Sequence, residues 1–331
     1  MPSHQTHHVG PADAEQTLTA VVRRLRGKDV SWSEAKRLVL GRHVQVNGNL
    51  CVDEGRKLKR GEVIQLFKFP RPAPPTQQDI RIRHLDSDLV VIEKPAGITT
   101  LRHTEERAWS PRRKQLQPTL DEMLQRALQS KTHPKHGKGK HGPVKGPRIR
   151  PVHRLDRDTS GLMIFALSAP AEQALIHAFK HHKVQRSYIA VVLGQMEACK
   201  IESWLVRDRG DGLRGSHPLG AKAPQAQHAV THVQPIRTIA DCYTIVACRL
   251  ETGRTHQIRI HLSERGHMIC GEKIYVRPVA GAPMQKDHSG APRQALHSSE
   301  LSFVQPMTGK SLHFTAPLAK DLAEWIDALG R

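Results

Sequence analysis

Val152-His153-Arg154-Leu155-Asp156-Arg157-Asp158-Thr159-Ser160-Gly161-Leu162-Met163-Ile164-Phe165-Ala166 is the stretch on which the reading of the fold turns. Its first half is charged and its second half is an apolar run, so it predicts a loop that feeds straight into a buried strand. The last charged residues of such a loop stand at the mouth of a core. A carboxylate held there among arginines is a candidate for perturbed ionisation and for chemistry. Residue physics leaves Asp156 a second reading, as a turn cap or the partner of a neighbouring arginine. Asp158, just ahead of Thr159-Ser160, reads more readily as a turn or cap residue.

Working outward, Leu89-Val90-Val91-Ile92-Glu93-Lys94 predicts another buried strand, closed by the turn Pro95-Ala96-Gly97. Downstream, Ala171, Ala174, Leu175, Ala178 and Phe179 recur at helical spacing, and Tyr188 follows at the head of an apolar strand. In Thr252–Leu262 the alternation reads as a strand, with Ile258 and Ile260 on one face and Arg259 and His261 on the other. Thr119 to Leu128 predicts a short amphipathic helix. The stretch 131–150 is rich in Lys, Arg, His, Gly and Pro and cannot pack a core; a solvated basic insertion is expected there. Its His133, His136 and His141 lack further ligands to complete a metal site, and none is expected.

The N-terminal third reads differently. Residues 1–16 are polar and are expected to form a disordered tail. Leu18, Val21, Val22 and Leu25 fall at helical spacing, with arginines on the other face. Ser31-Trp32-Ser33-Glu34 is a helix start with a capping-box arrangement. Val44-Gln45-Val46-Asn47-Gly48 is a strand ending in an Asn-Gly hairpin turn, and Gly61 precedes the strand Val63–Leu66. This predicts a small α+β module over 17–68. A Pro-rich linker, 69–79, separates it from a second domain, 80–325.

The chain has 331 residues, with 51 Lys and Arg against 31 Asp and Glu, a formal charge of +20. Such an excess favours a polyanionic partner. No stretch approaches the roughly 18–20 apolar residues of a membrane span, so no membrane partner is expected. The five cysteines are widely spaced, without CxxC pairs, which fits a reducing, cytoplasmic setting.

The string His153–Ala166 resembles the central motif of the RluA-type pseudouridine synthases. Lys94-Pro95-Ala96-Gly97, Arg186–Gly194, Thr252–Leu262, Gly271–Tyr275 and Leu296-His297 through Pro317-Leu318 match further segments of that family in order. Ser33–Val39, Gly41, Val44–Gly48 and Leu58–Glu62 resemble an S4-type RNA-binding domain. The resemblance implies an α+β protein, with a mixed, mostly antiparallel catalytic sheet beside the small S4-like unit. It implies isomerisation of uridine to pseudouridine in structured RNA, without a cofactor, by a monomer. Large-subunit ribosomal RNA is the favoured substrate; transfer RNA, or a non-catalytic role in ribosome assembly, is the alternative. It carries Asp156 over as the catalytic carboxylate, nucleophile or base, with Tyr188 against the base and Arg259 as the carboxylate's partner. Arg154 is implied to fill the gap left by the flipped uridine. His153, Arg254, His256 and Leu296 join it as substrate contacts. Lys36, Arg37 and Arg42, on one helical face of the S4-like unit, are expected to meet phosphates. The tyrosine motif departs from the family pattern in having Arg186 where Lys is usual.

Overall fold

A computed structural model describes residues 4–27, 29–132 and 148–330. The chain divides into two compact units: residues 1–75 with 102–119, and residues 76–101 with 120–331.

The first unit is α+β. Strand β1 (His4–His8) is followed by helices α1 (Leu18–Arg26) and α2 (Trp32–Leu40), then β2 (Val44–Val46), β3 (Asn49–Leu50) and β4 (Val63–Phe67). The sheet order is β1-β4-β2-β3, antiparallel throughout. The Ser31 hydroxyl accepts the Glu34 amide at 3.1 Å and starts α2. Asn47 and Gly48 both adopt positive φ (51° and 73°), the hairpin geometry that an Asn-Gly pair favours. Leu18, Val21, Val22, Ala35, Val39 and Ile64 close its core.

Two expectations change here. Residues 4–8, placed in a disordered tail by their polarity, pair with β4 along its whole length; backbone bonds supply what the side chains do not advertise. Arg42 does not share the face of α2 with Lys36 and Arg37, because Gly41 caps the helix and Arg42 follows it at φ 68°. Residues 102–119, containing the short helix α3 (Pro111–Leu116), belong to this unit. Arg112 Nη2 reaches Glu54 Oε1 at 3.1 Å, and Gln117 Nε2 donates to the Leu50 carbonyl at 2.7 Å.

The second unit is built on one large sheet. Its elements are β5 (Arg81–Leu85), β6 (Leu89–Lys94), α4 (Leu120–Thr132), β7 (Arg150–Pro151), β8 (Ser160–Ala166), α5 (Ala169–Lys180), β9 (Gln185–Leu193), β10 (Cys199–Val206), β11 (Gly215–Ser216), β12 (Gln227–Ile239), β13 (Tyr243–Leu250), α6 (Gln257–Glu264), β14 (Leu296–Val304), β15 (Ser311–Thr315) and α7 (Lys320–Leu329). The order is β11-β10-β12-β13-β9-β14-β8-β6-β5, with β15 on β14 and β7 on β8. Among the described residues only β14–β8 is parallel, so the sheet is mixed and mostly antiparallel.

Strand β8 is buried at every residue because both faces of the sheet are covered. Met163 and Phe165 pack into one core with Leu120 and Leu124 of α4 and Leu322 and Ile326 of α7. Leu162, Ile164 and Ala166 point into the other, with Ala171 and Leu175 of α5. Gly161 makes the parallel pairing possible: a Cβ there would lie 2.2 Å from the Ser298 carbonyl oxygen, at φ 113°. The loop ahead of β8, carrying Asp156, is thereby fixed at the edge of the core.

Most of the basic stretch 131–150, including His133, His136 and His141, lies outside the described residues. Among those described, no helix is long and apolar enough to cross a membrane.

Candidate active site

The backbone around Asp156 is anchored residue by residue. Thr100 Oγ1 donates to the Leu155 carbonyl at 2.8 Å. Lys94 Nζ, fully buried, donates to the carbonyls of Pro95, Arg157 and Thr159 at 3.1, 2.9 and 2.8 Å. The Gly97 amide also reaches the Arg157 carbonyl, at 2.9 Å. Arg293 Nη1 holds the Asp158 carbonyl and its Nη2 the Ser160 hydroxyl, both at 2.9 Å. Asp158 lies in the turn after Asp156. With its flanks tied down, the loop presents the Asp156 side chain in one direction.

That side chain meets Arg259. Nη1 donates to Asp156 Oδ2 at 3.1 Å, while Nε and Nη2 form a two-pronged pair with Glu272, both bonds at 2.7 Å. Glu272 Oε1 also accepts the amides of Lys273 and Ile274 at 2.9 Å. Burial pushes the Glu272 carboxyl up, but the Arg259 bonds and charge outweigh it and the net shift is downward. Burial alone would lower Arg259; Glu272, then Asp156, raise it above its usual value. A guanidinium so fixed sets the direction of the carboxylate it touches.

The other oxygen, Asp156 Oδ1, lies 3.7 Å from His256 Nε2. His256 sits in left-handed backbone, φ 60°, just before α6, a conformation uncommon outside glycine. Its Nδ1 is 2.7 Å from the Tyr275 hydroxyl. Burial lowers His256 against the pull of Asp156 and raises the Tyr275 phenol to about 12. A neutral ring that accepts from Tyr275 through Nδ1 carries its proton on Nε2, aimed at Asp156.

These groups open onto a cleft of about 310 Å³. All eight residues singled out in this domain from the sequence line it: Asp156, Tyr188, Arg259, Arg154, His153, Arg254, His256 and Leu296. Tyr188 is buried on β9, and burial raises its phenol while Arg186 pulls it back. Arg154 and Arg254 are exposed at the rim; Arg254 Nε donates to the His228 carbonyl at 3.0 Å. His153 also supports the wall: its Nε2 accepts the Ile164 amide at 2.9 Å and its ring stacks on Phe179 at 4.6 Å. Burial takes its pKa down to about 3, so it is a neutral fixture at pH 7. Lys36, Arg37 and Arg42 lie in the first unit, where Lys36 is 3.4 Å from Glu54.

The segment bearing Arg259 corrects the reading by alternation. Residues 257–264 are α6, not a strand, and every residue from Gln257 to Ser263 is buried. Helical spacing places His256 and Arg259 one turn apart, on the side of Asp156. Three participants carried no sequence signal for their role. Glu272 and Tyr275 stand in the segment Gly271–Tyr275, and Lys94 closes β6; nothing in their spacing announced a buried pair, a histidine partner or a loop anchor.

A carboxylate held by a buried guanidinium at the floor of a cleft rimmed by exposed arginines is an arrangement that suits a polyanionic ligand such as a nucleic acid. Residues 88–264 match the model of the RNA pseudouridylate synthase family. Ribosomal large subunit pseudouridine synthase D of Vibrio parahaemolyticus is 33% identical over 312 residues, 91% of this chain and 87% of that protein. The protein of the same name from Yersinia pestis is 31% identical, with the same shares covered. The solved structure of human RNA pseudouridylate synthase domain containing 4 shares the fold, with a TM-score of 0.56 at 21% identity over 75% of this chain and 92% of that one. The chain belongs to the RNA pseudouridylate synthase family. It is an isomerase that converts uridine to pseudouridine in RNA.

Proposed function

We propose that the substrate is large-subunit ribosomal RNA and that Asp156 is the catalytic carboxylate. The name shared by the Vibrio and Yersinia relatives supports that choice of RNA over transfer RNA. The observation that carries the catalytic assignment is the 3.1 Å bond from Arg259 Nη1 to Asp156 Oδ2, made by a guanidinium whose other edge is already taken by Glu272. A protein that only bound RNA would gain nothing from so fixed a charge at the floor of its cleft.

In this reading the uridine is turned out of its stack into the cleft, and Arg154 enters the gap it leaves. Asp156 acts on the sugar or the base as nucleophile, or on a sugar proton as base. The N1–C1′ glycosidic bond breaks, the uracil turns, a C5–C1′ bond to the ribose forms, and the proton lost from C5 is balanced by one gained at N1. Tyr188 and Leu296 face the base during the turn. The oxidation state does not change, so no cofactor takes part. The first unit supplies RNA affinity through Lys36, Arg37 and Arg42 as an S4-like module. A cytoplasmic monomer completes the proposal.

Mapping pseudouridines in total RNA from cells with and without the gene tests the substrate; loss of sites only in transfer RNA would overturn it. Asp156→Asn tests the chemistry: RNA binding should persist while pseudouridine formation stops, and undiminished turnover would end the assignment.

A further inference from the structure

One positive charge in the wall of the cleft has no counter-charge. Arg186 stands on β9 two residues before Tyr188, on the same face of the strand, and is 7% exposed. Its guanidinium lies 5.3 Å from the Phe179 ring centroid on one side. On another it fits against Gly253, where a Cβ would come within 2.7 Å of Nη1. Its Nε has no hydrogen-bond partner, and among the described residues no carboxylate comes within ion-pair distance of it. Arg259, in the same cleft, has two carboxylates.

Taking an unpaired charge out of water is strongly unfavourable, and the arginine side chain cannot escape by giving up its proton. A fold that keeps such a group lining a cleft has its counter-charge arrive with the ligand. The surroundings indicate which charge that is. Arg154, Lys180, His182 and Arg254 line the same cleft, so this is a basic wall, suited to a polyanion's backbone. A planar guanidinium matches the oxygens of a phosphate through paired donors. We infer that Arg186 receives a nonbridging phosphate oxygen adjoining the target uridine, in the slot between Phe179 and Gly253. The inference rests on the assignment of this cleft to uridine isomerisation. It explains why residue 253 is glycine: any side chain there would push the guanidinium out of the slot.

Binding is measured in an Asp156→Asn background, so that no turnover intervenes. The probe is a synthetic hairpin RNA carrying a mapped target uridine, compared with hairpins bearing one neutral methylphosphonate linkage 5′ or 3′ of it. With Arg186 present, one of the two neutral linkages should weaken binding roughly 10–100-fold. It should also reduce the log–log salt slope by about 1. With Arg186→Met added, charged and neutral hairpins should bind alike. Gly253→Ala, which keeps the charge but displaces it, should give the same indifference. Equal losses with and without Arg186 would overturn the inference, as a contact to the base rather than the phosphate requires. Without RNA, Arg186→Met should leave Tm unchanged or raise it, because an unpaired buried charge is removed; a lowered Tm would assign the residue to structure alone and likewise overturn the inference. The two failures are distinguishable: turnover by Asp156→Asn would count against the catalytic assignment, whereas the Arg186-dependent difference between charged and neutral hairpins reads the phosphate contact alone.

Discussion

Lys94 Nζ donates to the Thr159 carbonyl at 2.8 Å from a fully buried position, and to the Arg157 carbonyl at 2.9 Å. One ammonium thus gathers two carbonyls of the turn that follows Asp156, with a third from Pro95. Lys94→Met keeps an unbranched chain one atom shorter and loses all three bonds. Small displacements of a reacting group are costly, so kcat should fall on the order of 100-fold with RNA affinity close to wild type. Stability should drop by about 1–3 kcal/mol as buried carbonyls lose partners. Single-turnover kinetics and a urea titration check both; an unchanged kcat would remove Lys94 from the positioning of Asp156.

Glu272 governs where Arg259 points. Its two 2.7 Å bonds fix the guanidinium, leaving Nη1 for Asp156. Glu272→Gln preserves shape and one acceptor but leaves a buried arginine with Asp156 as its one carboxylate. Removing one partner of a buried pair costs about 3–5 kcal/mol, and the freed arginine should draw Asp156 away from substrate. We expect a lower Tm together with a loss of kcat larger than any change in KM. A variant with lower Tm and wild-type kcat would show that Glu272 supports the fold without setting the site.

Much of this was legible in the sequence, for identifiable reasons. Ser160–Ala166 reads as a strand because it is apolar throughout and preceded by a charged loop. Asp156, Tyr188 and Arg259, which line one cleft, were singled out through motifs that resemble a family, not through periodicity. Periodicity failed at 257–264, where Ile258, Ile260 and Leu262 alternate with Arg259 and His261. Alternation identifies a strand only when one face is wet. Here the helix is buried from Gln257 to Ser263, and polar groups on it bond within the protein: His261 lies 2.9 Å from Thr231 Oγ1, and Gln257 Nε2 reaches the Val230 carbonyl at 3.0 Å. The β1 strand was missed for the converse reason. Its partner accepts backbone bonds, which polar side chains neither reveal nor forbid.

Two histidines, His153 half-buried in the cleft wall and His261 buried in α6, should make the protein acid-sensitive in a defined window. Burial, with Arg186 adding to it, lowers His153 to about 3; burial, with Arg265, lowers His261 to about 4. Both rings are therefore neutral when folded and take up a proton when unfolded below about 6.5. The unfolded state then binds more protons, so stability rises with pH. The contribution is complete above about 6.5 and is lost as pH falls toward 4 and 3. At about pH 5 each ring should cost about 2 kcal/mol, before ordinary carboxylates begin to titrate. Urea midpoints at pH 7 and pH 5 test this, and identical midpoints would contradict it.

The division of the chain decides how the first unit can be removed. Residues 102–119 depart from the second unit and return to it at almost one point, because the Leu120 amide donates to the Thr99 carbonyl at 2.9 Å and the Asp121 amide to Thr100 at 3.3 Å. Thr100 also holds Leu155, next to Asp156, so this closure supports the site and must survive. The excursion itself packs in the first unit through Arg112–Glu54 and Gln117–Leu50. Deleting residues 1–75 alone should therefore strand it, exposing surfaces around the half-buried Trp109, on which Arg113 lies at 3.6 Å. We expect that protein to aggregate. Deleting 1–75 and also replacing 102–119 by a two-residue turn should give a soluble second unit that modifies short RNAs, with weaker binding and a flatter salt dependence. If the simple truncation is as soluble and active as the double deletion, then residues 102–119 do not depend on the first unit, and its boundary lies at residue 75.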